Sequence, residues 1–119
     1  MQFTRIGEFL AVSRITGPTH NILLLKLGRA PQAGPVCEAL SSQGGRAHEP
    51  LDEAALVASV LEGVAEANAR FGSSYSVTHI RYVANDTKPE AVYSFLALEL
   101  IKRLESGGEF HQSSNLNAL

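Results

Sequence analysis

One cysteine in 119 residues excludes an intramolecular disulfide and removes the thiolate sets from which structural zinc sites are built. Cys37 sits in Ala33-Gly34-Pro35-Val36-Cys37 with no histidine beside it, so it reads as a small packing residue rather than an activated nucleophile. Neither H-x₃-H nor H-E-x-x-H spacing occurs among His20, His48, His79 and His111, which excludes the common helical metal-ligand pairs; no metal and no cofactor is expected. A basic cluster is also missing. Ten Lys and Arg face twelve Asp and Glu, for a net charge of −2. Arg5, Arg14, Lys26 and Arg29 are dispersed, and Lys102-Arg103 suit the last turn of a helix, where cations complement the backbone dipole. Nucleic-acid binding draws its affinity from phosphate neutralisation on a basic face, so it is not expected here. No apolar run approaches the roughly 18 residues of a membrane span. Met1-Gln2-Phe3-Thr4-Arg5 lacks the charged start and apolar core of a secretory signal. The expectation is a cytoplasmic protein.

What is present is a chain rich in aliphatics and poor in charge. Hydrophobic residues make up 45% and charged residues 18%, the latter below a usual value of about 25%. A small domain of this composition has more apolar surface than one copy hides, which points to self-association. The length is that of one domain. Residues 6–15 read as a strand, and Thr16-Gly17-Pro18-Thr19-His20 as a turn. Residues 21–28 form a second strand, giving a hairpin. In that strand Leu23, Leu25 and Leu27 point one way while Ile22 and Leu24 point the other, so both sheet faces need cover. Residues 29–50 are irregular, with a short helix or edge strand at 36–40.

The second half is the more regular. Pro50, Asp52 and Glu53 open a helix over 51–70 whose stripe is Leu56, Val60, Val64 and Ala67. Gly63 interrupts it, as expected where a strand comes close, and Gly72 supplies a left-handed cap. Residues 75–84 form a strand with Ile80, Tyr82 and Ala84 on one side and Val77, His79, Arg81 and Val83 on the other. Thr87-Lys88-Pro89-Glu90 has the S/T-x-x-E pattern of a capping box. The helix it opens runs to about 106, with Val92, Phe95, Leu96, Leu100 and Leu104 facing inward. Gly107-Gly108 stops that helix, and 107–119 is expected as a flexible tail. The fold class is α+β: a two-layer sandwich of one mostly antiparallel sheet with two helices on one face, in β-β-loop-α-β-α order over residues 1–106.

The run Gly44-Gly45-Arg46, Val60 to Ala67, Tyr75 to Ile80, Asp86 and Tyr93 to Ala97 resembles the fourth domain of translation elongation factor G. The likeness covers about residues 44–106 and rests on packing motifs. It implies the same two-layer sandwich and no enzymatic activity. Ser76 stands where that family has proline after the tyrosine, and Lys88-Pro89-Glu90-Ala91 replaces its paired serines. No functional residue is carried over.

The candidate binding residues are His20 in a turn, His79 on a strand and Asp86 at a strand end. Together they would supply a base and the group that orients it. Each also has a plainer role, Asp86 as a carboxylate ahead of a helix. Gly44-Gly45-Arg46 lacks a phosphate-loop pattern and reads as loop. The leading function is therefore a non-catalytic interaction domain that is homo-oligomeric through its sheet. The alternatives are a small-molecule site or enzyme pocket between residues 29–50 and the sheet, and an RNA- or ribosome-associated role.

Overall fold

A computed structural model describes residues 1–16, 19–28, 34–40, 51–84 and 86–113. The elements are β1 (Gln2–Ile6), β2 (Phe9–Thr16), β3 (Thr19–Leu27), β4 (Val36–Leu40), α1 (Glu53–Phe71), β5 (Val77–Val83), α2 (Val92–Glu105) and β6 (His111–Ser113). They make one mixed sheet in the order β4-β5-β3-β2-β1-β6. The pairs β1–β2, β2–β3 and β3–β5 are antiparallel, while β1–β6 and β4–β5 are parallel. The fold is α+β, as the sequence indicates.

Alternation along the strands decides what each sheet face carries. Leu10 and Val12 of β2, Leu23 and Leu25 of β3, and Ile80 and Tyr82 of β5 share one buried cluster with Leu56, Val60 and Val64 of α1 and Tyr93, Leu96, Ala97 and Leu100 of α2. Both helices thus cover the same face. Each fully buried Leu or Ile there contributes on the order of 1.5–3 kcal/mol relative to exposure. The opposite face carries a smaller cluster drawn from strands alone: Ala11, Ile22 and Leu24, with Ile6, Phe9, Leu40 and Val83 packed against them. The division of β3 into Leu23/Leu25/Leu27 and Ile22/Leu24 agrees with the sequence reading.

α1 begins where expected. Asp52 is the N-cap and accepts from the Ala55 amide at 3.2 Å, and Gly72 ends the helix at φ 65°. Asn68 then builds the turn into β5: its Oδ1 accepts from Ser73 Oγ and the Tyr75 amide, and its Nδ2 donates to the Tyr75 carbonyl. Gly63 faces α2 rather than a strand. A Cβ there would overlap the backbone carbonyl of Ser94, so the two helices approach at a point only glycine allows.

Several expectations are corrected. The strand expected over 6–15 is two strands, because Gly7, at φ 58°, and Glu8 form a two-residue hairpin loop with Gly at the first position. Residues 36–40 take the edge-strand alternative rather than the short helix, as the sequence allowed, whereas β6 is a strand within the segment expected as tail. Val77, assigned by alternation to the His79 side, joins the helix side because the β3–β5 register shifts between Lys26 and Leu27. The capping box does not form. Thr87 Oγ1 accepts instead from the His20 amide, and α2 starts at Val92 after Ala91 with no side-chain cap. The Val92, Tyr93 and Ser94 amides donate to the carbonyls of Pro89, Glu90 and Ala91. The Lys88–Pro89 peptide is cis. Of the residues expected to face inward on α2, Leu96 and Leu100 are buried and Val92 and Leu104 pack against the same cluster, but Phe95 is exposed beneath the Arg14 guanidinium and Tyr93, Ala97 and Ile101 are buried in addition.

Candidate functional site

The three residues singled out in the sequence do not converge. His79 lies across β5 from Lys26, whereas His20 lies across β2 from Ile15. Six positions of β3 separate Lys26 from His20, about 20 Å of extended chain. His79 Nδ1 sits 2.9 Å from Thr78 Oγ1, and its ring meets Phe9 edge-on at 6.2 Å. His20 Nε2 is enclosed without a hydrogen-bond partner among the described residues.

Asp86 is buried, 4% exposed, and structural in its contacts. Its Oδ2 accepts from the Ile22 amide at 2.6 Å and from the Tyr93 hydroxyl at 2.8 Å. Thr87 continues the join: its amide donates to the His20 carbonyl, and its carbonyl accepts from Asn21 Nδ2 at 2.7 Å. Residues 86–87 thus satisfy the stretch of β3 that extends past the end of β5. Burial, then the Asp86 charge, pushes the Tyr93 hydroxyl well above the usual tyrosine range. The Tyr93 hydroxyl therefore stays a donor to Asp86, and the bond ties α2 to the segment that follows β5.

A second polar corner escaped the sequence reading. Tyr82 donates to Glu53 Oε2 at 2.7 Å, joining β5 to the first turn of α1. Burial and then that carboxylate raise the Tyr82 hydroxyl pKa. Cys37 lies in β4 across from Ile80 and is partly buried near the same carboxylate. Burial first, and the Glu53 charge second, push its thiol up to about 11. At neutral pH it is a thiol, the wrong state for a nucleophile or metal ligand. No group of three His, Cys, Asp or Glu able to hold a metal occurs among the described residues.

The helix-free face has the richer surface. Its floor of Ala11 and Leu24 is fully buried. Above the floor Phe9 is flanked by Arg81, whose guanidinium lies 4.3 Å from the ring centroid, and by His79. Arg81 Nε binds Glu38 at 2.9 Å, and Lys26 binds Glu8 at 2.8 Å. That partner holds the Glu8 carboxyl below its ordinary range. Near the Arg81–Glu38 pair stands Val36, 53% exposed and two residues before Glu38 in β4, with half-buried Ile6, Leu40 and Val83; Ile15, 64% exposed, shares the Ala11 side of β2 by alternation but lies toward its far end, across from His20. The members of this surface come from five strands: β1, β2, β3, β4 and β5. In the sequence their signal was the two-sided apolar pattern of β3, but Phe9 and Ile6 could be placed only once the Gly7 turn was known.

Residues 41–50, with Gly44-Gly45-Arg46, and most of the segment expected to wall a pocket lie outside the described residues. No helix among the described residues is long and apolar enough to cross a membrane. Comparison of the chain with models of protein families, with curated proteins and with solved structures finds no match.

Proposed function

We propose that this chain is a non-catalytic interaction domain that pairs with a second copy of itself through the helix-free face of the sheet. The carrying observation is the apolar cluster of Ala11, Ile22 and Leu24, to which neither α1 nor α2 contributes, on a face where strand alternation also sets the exposed Ile15 and Val36. Charge favours a second copy as the occupant. The face holds Lys26 and Arg81 against Glu8 and Glu38, two of each sign already in pairs, so copies related by a two-fold axis meet without net repulsion. An acidic or basic partner would find no field to steer it. The separation of His20 from His79, the structural commitment of Asp86 and the protonated state of Cys37 support the non-catalytic part of the reading.

Sedimentation or light scattering at high micromolar concentration tests this directly. The wild-type chain is expected to be dimeric or larger. Replacing both Ile15→Ser and Val36→Ser should yield a monomer that keeps the native far-UV circular dichroism and cooperative unfolding, with a melting temperature that no longer depends on protein concentration. A wild-type chain that remains strictly monomeric overturns the proposal. RNA binding is a separate outcome of the same preparation, and none that falls with added salt is expected.

A further inference from the structure

The far edge of the sheet holds a site of a different kind. β6 is three residues long and lies parallel to β1, with Thr4 across from His111 and Arg5 across from Gln112. One residue ahead of it, Phe110 packs edge-on against Phe3, with centroids 6.0 Å apart and rings at 84°. Arg5 lies over the Phe110 ring at 5.6 Å and Arg103 over the Phe3 ring at 4.8 Å. Arg103 Nε also donates to the Glu109 carbonyl at 2.9 Å. Two strand residues, one helix residue and the outer side of β1 therefore read a short extended segment: Phe3, Arg5 and Arg103 take the aromatic ring and the carbonyl before it, and the β1 backbone takes the rest.

The connection to α2 is two glycines. Gly107 adopts φ 71°, and Gly108 lies so close to the Arg103 stem that a Cβ would sit 2.7 Å from its Cδ. His111 and Gln112 are exposed, and Phe110 is the segment's half-buried anchor. Lifting the segment thus breaks one short ladder, the two contacts of the Phe110 ring with Phe3 and Arg5 and the Arg103–Glu109 bond, and it takes from the large cluster between helices and sheet only Phe110, which packs at its margin. We propose that the β1 edge with Phe3, Arg5 and Arg103 is a strand-exchange site: residues 109–113 fill it in cis, and the same residues of a second copy can fill it in trans. The contacts are identical in the two states, so concentration and the Gly107-Gly108 hinge decide between them. This surface is separate from the helix-free face and stands on different residues.

The test uses the full chain and a fluorescent peptide of residues 107–113. With Phe110→Ala the internal competitor is weakened, so this variant should bind the peptide at least tenfold more tightly than wild type does. A peptide carrying Phe110→Ala should bind neither protein. Phe110→Leu, which keeps apolar volume, serves if the alanine variant does not fold. Equal binding by wild type and variant, or no binding by a natively folded variant, overturns the proposal. In the wild-type chain, the amides of residues 111–113 should exchange with solvent at least a hundredfold faster than those of residues 22–25. Equal rates would overturn the inference without any substitution.

Discussion

Leu23 and Leu24 are neighbours in β3 and both are completely buried, yet they are covered by different means. Leu23 faces two helices and belongs to a cluster that runs from β2 through α1 to α2. Leu24 faces no helix. Its cluster is small and strand-borne, below Phe9, Arg81 and the ion pairs to Glu38 and Glu8. Close-packed side chains from the sheet and both helices cannot shift into a void, whereas long side chains on a sheet surface can settle. The first face is therefore built for stability. The second holds a smaller cluster under side chains that can settle.

The largest expected effect tests that difference. Leu23→Ala should cost about 4 kcal/mol and Leu24→Ala about 2, both within the usual span for buried leucines but separated by how far the surroundings relax. Urea unfolding of the two variants checks it, and equal costs would mean the helix-free face is as rigidly filled as the other. Next comes Asp86→Ala, which strands the Ile22 amide and the Tyr93 hydroxyl and should cost about 3 kcal/mol, since each orphaned buried group costs about 1–3. Tyr93→Phe removes only one of the two bonds and should cost less by the same measurement.

The distance between these effects and the sequence is instructive. α1 was legible because its stripe, its N-cap Asp52 and its terminal Gly72 all agree, and local signals that agree rarely mislead. The two faces of β3 were legible for the same reason. The break at Gly7 was not, because apolar residues continue on both sides of it and the pattern of Ile6 to Val12 resembles one strand. Thr87 and Glu90 match a capping box locally, but β3 supplies a partner from 67 residues away and takes the hydroxyl. Long-range competition of that kind leaves no trace in a short window. The candidate site failed similarly. His20 and His79 are set apart by strand register, while Asp86 is drawn to the His20 end of β3 by its bond to the Ile22 amide, and neither placement can be read from spacing.

A smaller effect should come with pH. The Cys37 thiol ionises near 9 in the unfolded chain and only near 11 when folded, so the protonated state is the one the fold favours. Its contribution is fully present below pH 9 and is lost as pH rises through 11. Tyr75, Tyr82 and Tyr93 shift the same way from about 10, so their loss begins later on the same limb. Melting temperatures between pH 8 and 11 should fall, and Cys37→Ala should delay the onset. An onset unchanged by that substitution would place the thiol's ionisation elsewhere. Smallest of all, Lys102→Ala on the exposed side of α2 should change stability by less than about 0.5 kcal/mol. A larger loss by chemical denaturation would show that the outer side of the helices is a contact surface.

The join made by Asp86 and Thr87 has a consequence for how this protein behaves in a crowd. β5 pairs with β3 only from Leu23 onward, so the hydrogen-bonding groups at His20 and Ile22 would otherwise stand open like the end of an unfinished ladder. Open strand edges are templates for other chains. Here a carboxylate and a hydroxyl, carried on a loop, stand in for the missing strand residues. A loop cannot be extended by another strand as an edge can. These two side chains insulate the end of β3, so losing them would both loosen the fold and expose a seed for aggregation at the centre of the sheet.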